Sequence, residues 1–133
     1  MKEVVEFLQA NSTGVLATVK EGKPKARPFQ FMFEEDGKFF FCTSNEKEVY
    51  KQLQANPNVE FTSTSPQFAW VRLSGEVKFS SRLAYKEKVL MTSSLVKSIY
   101  QTADNPIFEV FYIEGGKAIL ADFSGLPPKN FSF

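Results

Sequence analysis

The segment Thr43-Ser44-Asn45, followed closely by Lys47, gathers two hydroxyls, an amide and a cation on a short piece of chain. It stands where an apolar run, Phe39 to Cys42, gives way to a charged stretch that stops at Asn56-Pro57. A helix start offers free N–H groups and a partial positive charge, so it attracts anions. Thr43 and Ser44 add donors. Lys47 in the first turn opposes the helix dipole, which favours acidic residues there, and a bound anion would offset that cost. The same residues also describe a plain capped helix, with Asn45 as the cap, Glu48 as its capping-box partner and Lys47 in solvent.

Three further positions could carry chemistry. Arg27 precedes Pro28-Phe29-Gln30 in a strand-like run. Its guanidinium fork matches two phosphate oxygens. Pro28 cannot donate to a ladder, so it marks an edge, a bulge or an opening in the sheet. Unpaired backbone groups beside it could meet a planar, hydrogen-bonding ligand; a solvated strand arginine is the alternative. Trp70 is the one large ring on a strand face that otherwise carries Arg72, Ser74, Glu76 and Lys78. It needs cover from a flavin-like ring, a subunit interface or a helix of its own chain. Cys42 ends an apolar run and reads as a small buried hydrophobe, not a nucleophile.

Composition removes several classes of function. Histidine is absent, and with it the commonest general base, the usual zinc and haem ligand and any Ser-His-Asp triad. No metal site is expected. The single cysteine forbids an intrachain disulfide and fits a reducing cytoplasm. Sixteen basic against 15 acidic residues leave a net charge of +1, which gives no reason to expect a nucleic-acid or membrane-surface partner. The N-terminus has no signal-peptide pattern, and no apolar run approaches the ~20 residues of a membrane span. A length of 133 residues fits one domain, 1–133. Fifteen phenylalanines exceed what a small monomer readily buries, so either the core is unusually aromatic or some rings cover a ligand or a partner chain.

The elements that must position these residues are mostly strands. Val4, Phe7 and Leu8 mark a short amphipathic helix. Strands are expected at 15–19, 25–33, 39–43 and 59–64, with a turn at Gly22 and a hairpin at Asp36-Gly37. A helix is expected from Asn45 to Asn56. Residues 68–79 alternate as a strand, and 80–105 read as helical with a break near Ser93-Ser94. Two closing strands, 107–113 and 118–123, are separated by Glu114-Gly115-Gly116, and the tail after Phe123 reads as loop. Strands joined by short turns, with few helices, predict an antiparallel, closed or nearly closed barrel with helices at its ends, in the α+β class.

The order of these signals resembles the pyridoxamine 5'-phosphate oxidase-like, FMN-binding split-barrel family. The resemblance rests on "GVLATVKEGKPKARPFQF", "GKFFFCTSNEKEVYKQLQANPNVEF", "WVRLSGEVKF" and "FEVFYIEGGKAILADFSG", which together span nearly the whole chain. It implies a mainly β split barrel with flanking helices, and a homodimer with FMN at the subunit interface. Arg27 and Lys47 would take the FMN phosphate, helped by Thr43 and Ser44, with Cys42 and Asn45 in the same cofactor-binding segment. Pro28, Phe29 and Gln30 would line the isoalloxazine edge, and Trp70 would sit near the ring or ribityl chain. The partner subunit would complete the site, with residues 94–100 as candidates. The function so implied is a cytoplasmic flavoprotein oxidoreductase acting on a small molecule. The alternatives are a non-catalytic FMN carrier, sensor or electron-transfer protein, a deazaflavin-binding member, and a structural dimer without cofactor. The chain lacks the basic, histidine-containing C-terminal segment that holds pyridoxal phosphate, which argues against vitamin B6 oxidation. The nearer likeness is to the small single-domain members, the nitroimidazole-resistance-like branch among them, although the chain lacks their characteristic histidine.

Overall fold

Two tight turns set the register of the sheet. Glu21-Gly22 joins β1 (Thr13–Lys20) to β2 (Lys23–Gln30), and Asp36-Gly37 joins β3 (Phe33–Glu35) to β4 (Lys38–Ser44). All four turn residues have positive φ, between 51° and 76°, as a two-residue turn matched to strand twist requires. The computed structural model describes all residues, 1–133. Its other elements are α1 (Lys2–Ala10), α2 (Glu48–Ala55), β5 (Asn58–Thr64), β6 (Trp70–Ser80), α3 (Leu83–Thr92), α4 (Ser94–Tyr100), β7 (Phe108–Ala121) and β8 (Lys129–Ser132). α1 follows its 3.6-residue pattern and buries Val4 and Leu8. Ser93 separates α3 from α4, its hydroxyl accepting from the Val96 N–H, so the expected break has a capping cause.

The strands run in the order β2-β1-β5-β6-β7-β4-β3, with β8 paired to β7 and every pair antiparallel. The sheet curls without closing, an α+β split barrel. The seam lies between β2 and β4. At one end the chain stitches it: the Phe31 N–H donates to Ser12 O, and the Met32 N–H to Phe40 O. The expected single strand 25–33 is thus broken at 31–32, where the chain changes partner. Elsewhere the seam stays open, because β3 pairs β4 only over residues 38–40.

Two other expectations need correction. Residues 107–123 do not form two strands. β7 is continuous across Glu114-Gly115-Gly116, and Gly115, at φ 64°, absorbs an extra residue where the pairing with β6 slips between Ser74 and Glu76. Glycine there makes a bulge, not a turn. The tail is not all loop: β8 pairs with β7 and lays Phe131 and Phe133 against the core.

The triple phenylalanine of β4 explains much of the aromatic content. Phe39 and Phe41 point into the main core with Phe31, Phe61 and Phe111, whereas Phe40 points into a second core under α3 and α4 with Phe108. A strand buried on both faces reads as an unbroken apolar run. No helix is long and apolar enough to cross a membrane.

Candidate functional site

A cavity of about 150 Å³ opens in the unstitched part of the seam. β2 supplies Pro28, Phe29 and Gln30, and β4 supplies Cys42 and Thr43. Lys47 stands at the start of α2, Met32 lies in the β2–β3 connection, and α4 contributes Val96, Ile99 and Tyr100.

Pro28 fits its place through the ladder phase. The Phe31–Ser12 hydrogen bond fixes which β1–β2 pairs exchange bonds: 14↔29 and 16↔27 do, whereas Val15↔Pro28 and Thr13↔Gln30 do not. The proline therefore costs the ladder nothing. The Pro28 carbonyl and the Gln30 N–H point away from β1, toward the open edge. Thr43 is the second notable member. It is only 3% exposed, and its Oγ1 is buried with no hydrogen-bond partner. Such a hydroxyl costs roughly 1–3 kcal/mol unless something binds it.

α2 begins later than the sequence suggests. Its first residue is Glu48, Lys47 occupies the cap position, and no side chain caps the helix. Asn45 is not the cap. Its Nδ2 donates to Pro106 O at 2.9 Å and to Glu109 Oε2 at 3.0 Å, and its N–H donates to Ile107 O. Ser44 Oγ accepts from the Glu46 N–H at 3.2 Å. Ser44 and Asn45 therefore fix the β4–α2 turn against the segment before β7 and do not line the cavity. The first turn of α2 is left without a capping oxygen, beside an orphaned hydroxyl and an exposed lysine. That combination suits an anion.

Two expected members lie elsewhere. Arg27 turns to the inner side of β2, where its guanidinium donates to Thr18 Oγ1 at 2.9 Å, Gln52 Oε1 at 2.6 Å and Leu16 O at 3.2 Å. Burial lowers its pKa from the ordinary value. Trp70 opens β6 and packs on Phe123, with ring centroids 5.1 Å apart, outside the cavity. Residues 94–100 were expected to reach the site from a partner chain, yet Val96, Ile99 and Tyr100 line the cavity of their own chain. Met32 gave no sequence signal beyond its apolar run. Thr18 and Gln52 gave one: each is a polar residue at an inward position of an otherwise apolar pattern.

Burial pushes the Cys42 thiol up to about 12 from 9.0, and likewise the Tyr100 phenol up to about 12 from 10.0. Both stay protonated in the fold at neutral pH, so Cys42 offers no thiolate. The consequence has a definite sign. Above pH 9 the unfolded chain releases these protons while the folded chain keeps them, so stability falls as pH rises from 9 toward 12. Urea unfolding across that range should show the decline in wild type and a shallower one in Cys42→Ala and Tyr100→Phe. Equal slopes would contradict the burial of these groups.

Comparison with known proteins places this geometry. A model of the pyridoxamine 5'-phosphate oxidase family matches residues 1–119. Among solved structures, a NimC/NimA family protein from Clostridium acetobutylicum superposes with a TM-score of 0.91 at 34% identity, covering 100% of this chain and 92% of that one. General stress protein 26 of Bacillus subtilis (strain 168) is 27% identical over 117 residues, 85% of this chain and 81% of that protein. A pyridoxamine 5'-phosphate oxidase-related, FMN-binding protein from Nostoc punctiforme shares the fold, with a TM-score of 0.74 at 16% identity over 96% of this chain and 83% of that one.

Proposed function

Because the chain belongs to the pyridoxamine 5'-phosphate oxidase family, we propose that it binds FMN in the open seam and acts as a flavin-dependent oxidoreductase on a small molecule. The observation that carries this reading is the buried, partnerless Thr43 hydroxyl in a cavity that also holds Lys47 and the apolar side chains of Phe29, Val96 and Ile99. An anion-binding end set beside apolar side chains matches the two ends of FMN. Thr43 Oγ1 and Lys47 Nζ donate to the phosphate, and Arg27 supports them from the inner side of β2. The Pro28 carbonyl and the Gln30 N–H meet the polar edge of the ring. Hydride or single-electron transfer is the chemistry the cofactor supplies when bound. The chain's own part is to hold the ring, exclude water with Val96, Ile99 and Tyr100, and anchor the phosphate.

The cavity argues for a second copy of the chain. Its volume of about 150 Å³ falls short of the roughly 300–1,000 Å³ that encloses a ligand of this size. On the α3–α4 face beside it, Met91, Leu95 and Ile99 are 87%, 64% and 60% exposed. A homodimer would cover them and complete the site. Haem is a poorer fit, because the chain has no histidine, the usual proximal ligand.

The visible spectrum of the purified protein, followed by titration with FMN and riboflavin, tests the reading. FMN is expected to bind more tightly than riboflavin. Equal affinities would remove the phosphate assignment, and no binding of either would leave a structural dimer. Consumption of a reduced nicotinamide with an added acceptor separates a reductase from a carrier.

A further inference from the structure

Gln52 is buried on the face of α2 that carries Val49 and Leu53. An amide among apolar neighbours is costly unless its polar atoms are met. Its Oε1 accepts the Thr18 hydroxyl at 2.5 Å and Arg27 Nη2 at 2.6 Å. Thr18, itself buried, accepts Arg27 Nη1 at 2.9 Å. Side chains from β1, β2 and α2 thus close a ring of three hydrogen bonds. Its polarity is forced. A guanidinium has only donors, so Gln52 must present its oxygen, and the Thr18 hydroxyl, accepting from Arg27, gives its own proton to Gln52. The three side chains lie 34 and 25 residues apart in sequence, so the ring is a tertiary clamp. It joins the helix whose cap position Lys47 holds to the strand that carries Pro28. None of its bonds uses the Nε–H of Arg27, which leaves one edge of the fork for an anion.

Resting on the FMN reading above, we infer that Gln52 positions Arg27 and the start of α2 for the anion, so that preference for a phosphorylated ligand depends on a residue that touches no ligand. Thr18 belongs to the same device. Gln52→Met keeps length and burial but removes the acceptor, leaving Arg27 without its shortest hydrogen bond. Gln52→Glu keeps an acceptor but sets a carboxylate against Arg27, which neutralises it and repels phosphate. Thr18→Val opens the ring from β1 at nearly constant volume.

The test is equilibrium titration of the full chain and each variant with FMN and with riboflavin, scored as the ratio of the two affinities. Gln52→Met and Thr18→Val are expected to lower that ratio about tenfold, and Gln52→Glu further. A residue that only stabilised the fold would shift both ligands together, and the riboflavin affinity and urea midpoint report that separately. A wild-type preference for FMN that survives unchanged in Gln52→Met and Gln52→Glu overturns the role of Gln52 alone. A wild-type ratio near one overturns the phosphate reading beneath it as well.

Discussion

Lys47→Ala is expected to weaken FMN binding by about 1.5–3 kcal/mol, the usual worth of a charge-assisted hydrogen bond, while riboflavin affinity stays unchanged. That corresponds to a loss of roughly tenfold to 150-fold in affinity. The variant is informative because its effect on stability has the opposite sign. Lys47 holds the cap position of α2 with no capping bond and no ion pair. A cation there opposes the helix dipole, so removing it should leave the fold unchanged or firmer by up to ~1 kcal/mol. Weaker FMN binding in a chain no less stable points to a ligand contact. A parallel loss for FMN and riboflavin would assign Lys47 to the fold, and no loss for either would move the phosphate elsewhere. Titrations by flavin fluorescence, paired with urea unfolding of the apo chain, separate these outcomes.

Phe41→Ala is expected to cost about 3–5 kcal/mol of stability, the range for removing a buried phenylalanine ring. Phe41 is fully buried and touches four other rings, with centroids 6.2 Å from Phe29, 6.0 Å from Phe31, 4.9 Å from Phe61 and 5.7 Å from Phe111. Those rings come from three other strands, β2, β5 and β7, and from the β2–β3 connection, so a void at Phe41 loosens contacts around most of the barrel. Domains of this size have only about 5–15 kcal/mol to lose. The variant should therefore unfold at a much lower urea concentration with an unchanged slope. Phe41→Leu, which refills part of the space, should lose well under half as much. If Phe41→Ala cost less than ~1 kcal/mol, the aromatic cluster would not be the core it resembles. Phe29 is shared between this cluster and the wall of the cavity, so flavin affinity is expected to fall with core packing in the same variant.

Local pattern determined much of this protein. Alternation at 68–79, answered by β6 from Trp70, the 3.6-residue spacing of Val4 and Leu8, the Asp36-Gly37 turn and the stop at Asn56-Pro57 are short-range signals, and each has its counterpart in the fold. The Arg-Pro strand and the Thr43–Lys47 segment also drew notice from residue type alone. Other features depended on distant partners. Whether Glu114-Gly115-Gly116 turns the chain or bulges it depends on β6, whose continuous pairing on both sides turns a glycine signal into a bulge. Asn45 is a capping residue type, but its side chain instead donates through Nδ2 to Pro106 O and Glu109 Oε2.

Side-chain direction was still less legible. A sequence tells that Arg27 carries a fork, not that Thr18 and Gln52 hold it on the inner face of β2. It tells that Trp70 is a lone ring on a polar face, not that Phe123 covers it. Thr43 shows the division most plainly. Its hydroxyl and its place before a helix were fixed by the sequence alone. That the hydroxyl is buried, partnerless and in the lining of an open seam was decided by the tertiary structure, because β2 and β4, though near in sequence, stand toward opposite ends of a sheet that curls without closing.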